Sequence, residues 1–304
     1  MPGAMLLVAA NLLALLSLAY AFKGAKELLK LAAVACFGAV VFHFEAMPIL
    51  ALLPGILIFG ALIWAFGKRG WYLLAVLAVL YAITFSGFGP RAISLSIFLG
   101  AFSGAISMRS ASKRSTDIVE IRRDLFQIAS GIVIIALILA FGAEYAEWIV
   151  IALVIVGYTM INYSAGEGRG MLSRQIRRLE REGVQPGHGA IWLSIGTLLA
   201  FGFLAKENYI MLAVFALFFA DPLATIFGRK LKRNVRLPYN KGKTVGGTLA
   251  FFVVLSALGY IAVGYYALVV SLVCALVESA PTRIDDNFSV PAALVIMLKI
   301  LAIY

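Results

Sequence analysis

The sequence predicts an all-α protein that crosses a membrane about twelve times, and three observations carry that prediction. Of its 304 residues, 62% are hydrophobic and 13% are charged, whereas a soluble domain is roughly 45–50% apolar and about 25% charged. The apolar residues form blocks of about 20, the length that an α-helix needs to cross the hydrocarbon core. The basic residues fall between alternate blocks, as the positive-inside rule requires.

Twelve candidate spans follow the apolar blocks along the chain. The first lacks a basic segment before it, which favours a membrane span over a secretory signal. In order, the predicted spans are 4–22, 28–44, 48–66, 71–88, 91–108, 125–142, 146–163, 190–205, 209–228, 247–263, 265–280 and 290–304.

The placement of Lys and Arg predicts the orientation of these spans. Twelve spans put 23 of the 26 Lys and Arg residues into loops on one side, which is then the cytoplasmic side, and place both termini on the other. The net charge of +11 is therefore explained by topology, and nucleic acid is not a predicted partner. We expect a multi-pass protein of the cell membrane, or of an endomembrane if the source is eukaryotic.

The chain divides near residue 108 into two predicted domains. Residues 1–108 hold five spans with short connections and almost no ionisable residue at membrane depth, which favours an accessory or packing bundle. Residues 109–304 hold seven spans, with long polar loops and ionisable residues at span ends. Because charge inside a membrane is costly and usually functional, we expect a catalytic domain with a cytoplasm-facing site in 109–304.

Asp221 is the first candidate site residue, because it lies about seven residues inside the cytoplasmic end of its predicted span. A carboxylate at that depth must pair with a cation or line a wet cavity. On a helix, Asp221, Thr225 and Gly228 share one face. Asp221-Pro222 also fits an N-cap followed by proline, which would break the span there. A structural Asp at a kink is the alternative to a catalytic one.

A loop rich in Gly and Lys opens the next predicted span and suits phosphate. Amides at a helix start attract anions, and Lys neutralises phosphate oxygens. A Walker A loop is excluded, because Leu237 stands where its first Gly would be. The candidate phosphate-binding residues here are Lys241, Gly242, Lys243, Thr244, Gly246, Gly247 and Thr248.

An acidic cluster between the last two spans is the candidate metal site. Carboxylate oxygens at this density suit Mg²⁺ or another divalent cation, so Glu278, Asp285 and Asp286 are the predicted ligands. Asn287 is expected to face the substrate, with Thr225 and Gly228. A solvated acidic loop is the alternative.

Arg122 and Arg123 lie directly before the sixth predicted span, at the expected start of a helix. Two interpretations are equally good: the guanidinium groups grip a phosphate, or they snorkel to the membrane edge.

Taken in order, these motifs resemble the CTP-dependent polyprenol kinase family, which includes dolichol kinase, phytol kinase and a CTP-dependent diacylglycerol kinase. The resemblance covers roughly residues 120–304. Residues 221–228 with 241–248 are similar to the family's Asp–Ala–Phe-Gly and Lys-Lys/Gly-Lys-Thr–Gly-Thr signature, and residues 278–291 to its Glu–Asp-Asp-Asn–Pro motif. Arg122-Arg123 resembles the family's Arg-Lys-x-x-His opening, but Gln127 stands in place of the His, which weakens any role that a His would have there.

The resemblance implies transfer of the γ-phosphoryl group of CTP to an isoprenoid alcohol of the polyprenol or dolichol type, with Mg²⁺ as cofactor. It implies that Lys241 and Lys243 hold the phosphates, and that Asp221 orients or deprotonates the hydroxyl or shares the metal. The partners are then a nucleoside triphosphate and a membrane lipid alcohol, and a homodimer is left open.

Two other functions remain as alternatives. A CDP-lipid synthase would attack the α-phosphate of CTP with similar residues. A secondary transporter would also fit twelve spans, but transporters pair broken helices symmetrically at the midplane. Here the polar residues lie at one membrane face and in the second half of the chain, so the kinase is favoured.

Overall fold

The computed structural model describes residues 89–105, 117–167, 187–230, 235–282 and 284–301. Within these ranges the chain is helical and forms no β-sheet; Arg236 and Thr244 make an isolated bridge. The predicted all-α class is thus confirmed for the described residues. Their helices are α1 Gly89–Ala105, α2 Asp117–Phe141, α3 Ala143–Glu167, α4 His188–Phe203, α5 Glu207–Lys230, α6 Val245–Val263, α7 Tyr266–Ser279 and α8 Asp286–Ile300.

Four segments of the described residues are long and apolar enough to cross a membrane: Val119–Phe141 in α2, Ala143–Ile161 in α3, and the whole of α5 and of α6. Helices α4 and α7 are apolar but shorter. By the length and composition of its helices, the chain is a membrane protein. The first four predicted spans lie outside the described residues, so the count of twelve and the orientation of the termini stay predictions.

The chain separates into two compact units. One comprises Met1–Arg114 and Ile151–Leu198; the other comprises Ser115–Val150 and Leu199–Tyr304. In the first unit, the Tyr158 hydroxyl shares a 2.5 Å hydrogen bond with Ser194 Oγ, and Phe102 packs edge-on against Trp192. The predicted boundary at residue 108 lies outside the described residues and stays a prediction.

Helix α5 is the central element of the second unit, and α2, α6 and α8 pack against it. Over its most apolar segment, 56% of α5 is buried, compared with 22% of α6. Because lipid offers no hydrophobic driving force between helices, close van der Waals packing matters, and small residues permit it by letting two backbones approach. Gly228 of α5 meets Gly247 of α6 in this way: a Cβ on Gly228 would lie 3.6 Å from Gly247 Cα.

A π turn at Ala216–Ala220 interrupts the α-helical hydrogen bonding of α5 directly before Asp221. The Asp221 N–H donates to the carbonyl of Ala216, five residues back, and Asp221 has helical backbone angles (φ −63°, ψ −53°). The break with an Asp221 N-cap, one of the sequence-based expectations, is therefore wrong. The chain accommodates Pro222 with a wider turn, so the helix continues to Lys230.

Candidate active site

Asp221 lies on α5 where that helix faces α2. Its Oδ2 accepts a hydrogen bond from Gln127 Nε2 of α2 at 3.1 Å. The same nitrogen donates to the carbonyl of Leu217, in the π turn, at 2.6 Å. The Thr225 hydroxyl donates to the Asp221 carbonyl at 3.2 Å, so this predicted substrate-facing group is bonded within its own helix.

A compact loop between α5 and α6, described over residues 235–244 and called the lysine loop below, carries Lys243. The Leu237 N–H donates to the Lys243 carbonyl at 3.0 Å, and the Lys243 N–H donates to the Asn240 carbonyl at 3.1 Å. Thr244 then caps α6, because its Oγ1 accepts from the Gly247 N–H at 3.2 Å. A cap of this kind stabilises a helix by about 1 kcal/mol. Lys243 is thus fixed one residue before a capped helix.

Two side chains tie this loop to the end of α7. Asn240 Nδ2 donates to the Ser279 carbonyl at 3.0 Å, and the Tyr239 hydroxyl shares a 2.9 Å hydrogen bond with Ser279 Oγ. Ser279 directly follows Glu278 in the chain. These two hydrogen bonds therefore hold the backbone that carries Lys243 beside the backbone that carries Glu278.

Lys243 bridges two carboxylates from different helices. Its Nζ lies 2.5 Å from Glu278 Oε1 on α7 and 2.7 Å from Asp286 Oδ2 on α8. Glu278 is 5% exposed, and its second oxygen, Oε2, is buried without a hydrogen-bond partner among the described residues. That oxygen is free to bind a cation.

Asp285 and Asp286 are adjacent in the chain but have different partners. Asp285 is the N-cap of α8: its Oδ1 accepts from the Asn287 N–H at 3.1 Å and from Asn287 Nδ2 at 2.8 Å. Asp286, in the first turn of α8, binds Lys243 instead. Asn287 Oδ1 is buried, again with no partner in the described part of the chain.

The three carboxylates of Asp221, Glu278 and Asp286 each place an oxygen within 4.8 Å of the others. A divalent cation fits this donor set, because Mg²⁺ prefers carboxylate oxygens and Glu278 Oε2 is buried without a partner among the described residues. Of the three predicted ligands, Glu278 and Asp286 belong to this cluster and Asp285 does not. The third carboxylate of the cluster is that of Asp221.

Charge accounts for the protonation states around Lys243. Burial alone would lower the pKa of Lys243, but Asp286, Glu278 and Asp221 together raise it above its usual value. Burial alone would raise the pKa of Asp286, but the Lys243 ammonium lowers it. Lys243 therefore stays cationic and Asp286 stays anionic at neutral pH.

Arg123, one of the two predicted arginines, belongs to an ion-pair network at the start of α2. Arg123 is 3.9 Å from Glu120, one helical turn earlier, and Glu120 also binds Arg229 of α5 at 2.9 Å. Arg122 is exposed. This network joins the start of α2 to the end of α5, which favours an anchoring role over phosphate contact for Arg123.

The remaining predicted phosphate-binding residues surround the start of α6. Lys241 and Gly242 are exposed at the tip of the loop. Gly247 is buried against α5, where a Cβ would lie 3.0 Å from the Ala224 carbonyl. Thr248 Oγ1 is buried and, within the described ranges, has no hydrogen-bond partner.

Sequence reasoning missed two residues that build the site. Asn240 bonds the lysine loop to the end of α7, and Gln127 donates a hydrogen bond to the Asp221 carboxylate. The position of Gln127, where the resembled family has a His, was the signal that could have identified it.

Comparison with known proteins gives two distant relatives, while no family model and no solved structure matches. An uncharacterised protein of Methanocaldococcus jannaschii is 29% identical over 174 residues, which cover 57% of this chain and 88% of that protein. Phytol kinase 1, chloroplastic, of Arabidopsis thaliana is 25% identical over 225 residues, which cover 67% of this chain and 73% of the kinase. The chain is distantly similar to a phytol kinase.

Proposed function

We propose that this protein is a membrane lipid kinase that transfers the γ-phosphoryl group of CTP to an isoprenoid alcohol at the cytoplasmic face. The observation that carries the proposal is the convergence of Asp221, Glu278 and Asp286 with Lys243. These residues come from three helices and a loop, and are up to 65 positions apart in the chain. Such a convergence of like charges is costly unless it binds a cation.

Phosphoryl transfer needs positioning and charge neutralisation more than covalent chemistry. Asp221, Glu278 and Asp286 would hold Mg²⁺, which on binding neutralises charge on the phosphates. Lys243, fixed by its loop and by two carboxylates, contributes a permanent positive charge beside that position.

Asp221 is also suited to the lipid hydroxyl. It lies nine residues before the end of α5 at Lys230, about 14 Å along the helix axis. An alcohol whose chain stays in lipid can bring its hydroxyl to this depth. We assign Asp221 the second task of taking the hydroxyl proton as the oxygen–phosphorus bond forms and CDP leaves.

The similarity to a phytol kinase supports a prenol as the alcohol. The test is a transfer assay with purified protein, Mg²⁺ and CTP labelled at either the α- or the γ-phosphate. Phytol, a polyprenol, dolichol and diacylglycerol are offered in parallel, and ATP replaces CTP in a second series. We expect γ-label, and no α-label, in a prenol monophosphate, with CDP as the other product.

Other outcomes contradict the proposal in distinct ways. Transfer of the α-label with release of pyrophosphate identifies a CDP-lipid synthase. Absence of label from every lipid, together with uptake of solute into vesicles that contain the protein, identifies a transporter.

A further inference from the structure

Pro222 and the π turn leave a carbonyl of α5 without its usual partners. In an α-helix the Leu217 carbonyl would accept from the N–H of Asp221, but that N–H donates to Ala216. In a continued π turn it would accept from residue 222, which is a proline and has no N–H. Because an unpaired buried backbone carbonyl is costly, this position requires a donor from elsewhere.

Gln127 of α2 supplies that donor. Its side-chain nitrogen donates to the Leu217 carbonyl at 2.6 Å and to Asp221 Oδ2 at 3.1 Å. A carboxamide nitrogen has two N–H groups, so each acceptor receives one. A single neutral group thus ties the carbonyl displaced by the π turn to the carboxylate that follows it.

Close packing of α2 on the π turn makes this contact short. Gly131 lies one helical turn after Gln127 and on the same face of α2. A Cβ at Gly131 would overlap Phe218, a residue of the π turn. The absence of a side chain at this position lets α2 approach closely enough for Gln127 to reach both acceptors.

We propose that Gln127 is a positioning residue, which fixes the rotation of the Asp221 carboxylate so that it faces Glu278 and Asp286. Its consequence for turnover rests on the proposed kinase function, whereas its effect on the cation site does not. Groups that orient metal-binding side chains typically change metal affinity 10–100-fold when they are removed. Gln127 itself binds no cation and transfers no proton.

The test compares Gln127→Met with Ser130→Ala. Methionine keeps the length and most of the volume of glutamine and removes both donors, so a packing role alone would be retained. Ser130 lies on the same helix, and among the described residues its hydroxyl donates to the Phe126 carbonyl of that helix. Gln127→Glu, which keeps the shape but places a carboxylate against Asp221, is the second variant if the first fails to fold.

The primary readout is Mn²⁺ affinity of the purified protein, measured by electron paramagnetic resonance without nucleotide or lipid. We expect wild-type protein and Ser130→Ala to bind equally, and Gln127→Met to bind about 10-fold more weakly. In the kinase assay, Gln127→Met should lower kcat and leave the KM for the alcohol unchanged. Gln127→Glu should show the same separation of kcat from KM.

A Gln127→Met affinity for Mn²⁺ within twofold of wild type overturns the inference, as does a wild-type protein that binds no Mn²⁺. The proposed function fails in a different assay. If wild-type protein binds Mn²⁺, loses affinity in Gln127→Met and phosphorylates no alcohol, the positioning role stands and the kinase proposal is wrong.

Discussion

Lys243 is the cation to which both Glu278 and Asp286 bind, and its removal leaves their charges facing each other. We expect Lys243→Met to lower the free energy of unfolding by roughly 3 kcal/mol, as when one partner of a buried ion pair is lost. Turnover should fall about 100-fold, the order for one lost electrostatic stabiliser. Thermal unfolding with and without Mg²⁺ measures the first effect.

Divalent cations provide the control for this variant. Because Mg²⁺ can neutralise the same carboxylates, its addition should raise the melting temperature of Lys243→Met more than that of the wild type. Equal shifts in the two proteins would show that the cation binds elsewhere.

Asp285 differs from its neighbour because its charge opposes folding. Burial, with the adjacent charge of Asp286, raises the pKa of Asp285 to about 6, whereas the pKa of Asp in an unfolded chain is about 3.9. The stability that protonated Asp285 contributes is therefore complete below about pH 4 and is lost as the pH rises through 6. Asp285→Asn keeps the N-cap, since Asn caps as well as Asp.

We expect Asp285→Asn to be more stable than the wild type at pH 7.5, with the difference disappearing near pH 4. Unfolding in metal-free buffer at a series of pH values tests this. If the free energy of unfolding of Asp285→Asn changes between pH 4 and pH 7.5 as that of the wild type does, this prediction is wrong. Asp286→Asn is the matched comparison. We expect Asp286→Asn to lose Mn²⁺ binding and Asp285→Asn to keep it.

At the scale of single residues, the sequence identified the cluster but not its partners. Asp221 stood out because charges at membrane depth are rare, Lys243 because its loop suits phosphate, and Glu278 and Asp286 because carboxylates cluster there. Which of two adjacent aspartates caps α8 depends on where the helix begins, and sequence spacing allows both. The hydrogen bond between Gln127 and Asp221 joins residues 94 positions apart, so a local sequence pattern could not predict it.

At the scale of helices, the contact between α5 and α6 sets the distance from Asp221 to the lysine loop. A Cβ on Gly247 would lie 3.0 Å from the Ala224 carbonyl. We expect Gly247→Ala to separate the helices, to lower the free energy of unfolding by roughly 1–3 kcal/mol and to weaken Mn²⁺ binding. Thermal unfolding and Mn²⁺ titration of the same sample measure both effects.

Gly157→Ala is the matched control, because nothing lies within 4 Å of a Cβ at that helical position. It should leave stability unchanged or raise it slightly, since Ala favours a helix over Gly. If Gly247→Ala behaves like Gly157→Ala, the close approach of α5 and α6 does not support the site.

Helix positions were the most predictable elements, because a long apolar run in lipid must satisfy its own backbone. The predicted spans 247–263 and 265–280 differ from α6 and α7 by two residues or fewer. The π turn was not predictable: Asp221-Pro222 fits both a broken helix and a widened one, and packing of Gly131 against Phe218 favours the second.

At the scale of the whole molecule, the proposed kinase function requires the lysine loop to face the cytoplasm. Lys241 and Tyr265 flank the two ends of α6 and are both exposed. In a protein with Cys36 and Cys274 replaced by Ala, we expect a membrane-impermeant maleimide to label Lys241→Cys from the cytoplasmic side. Tyr265→Cys should react from the opposite side, and the reverse pattern would contradict the orientation.

The decisive measurement is the rate of γ-label transfer from CTP to a prenol, compared between the wild type and Asp221→Asn. Glu144→Gln, an exposed carboxylate on α3, is the matched control and should retain the wild-type rate. We predict that Asp221→Asn remains folded and loses at least about 100-fold in rate, the lower range for a lost proton acceptor. An Asp221→Asn protein that transfers label at the wild-type rate would contradict the account.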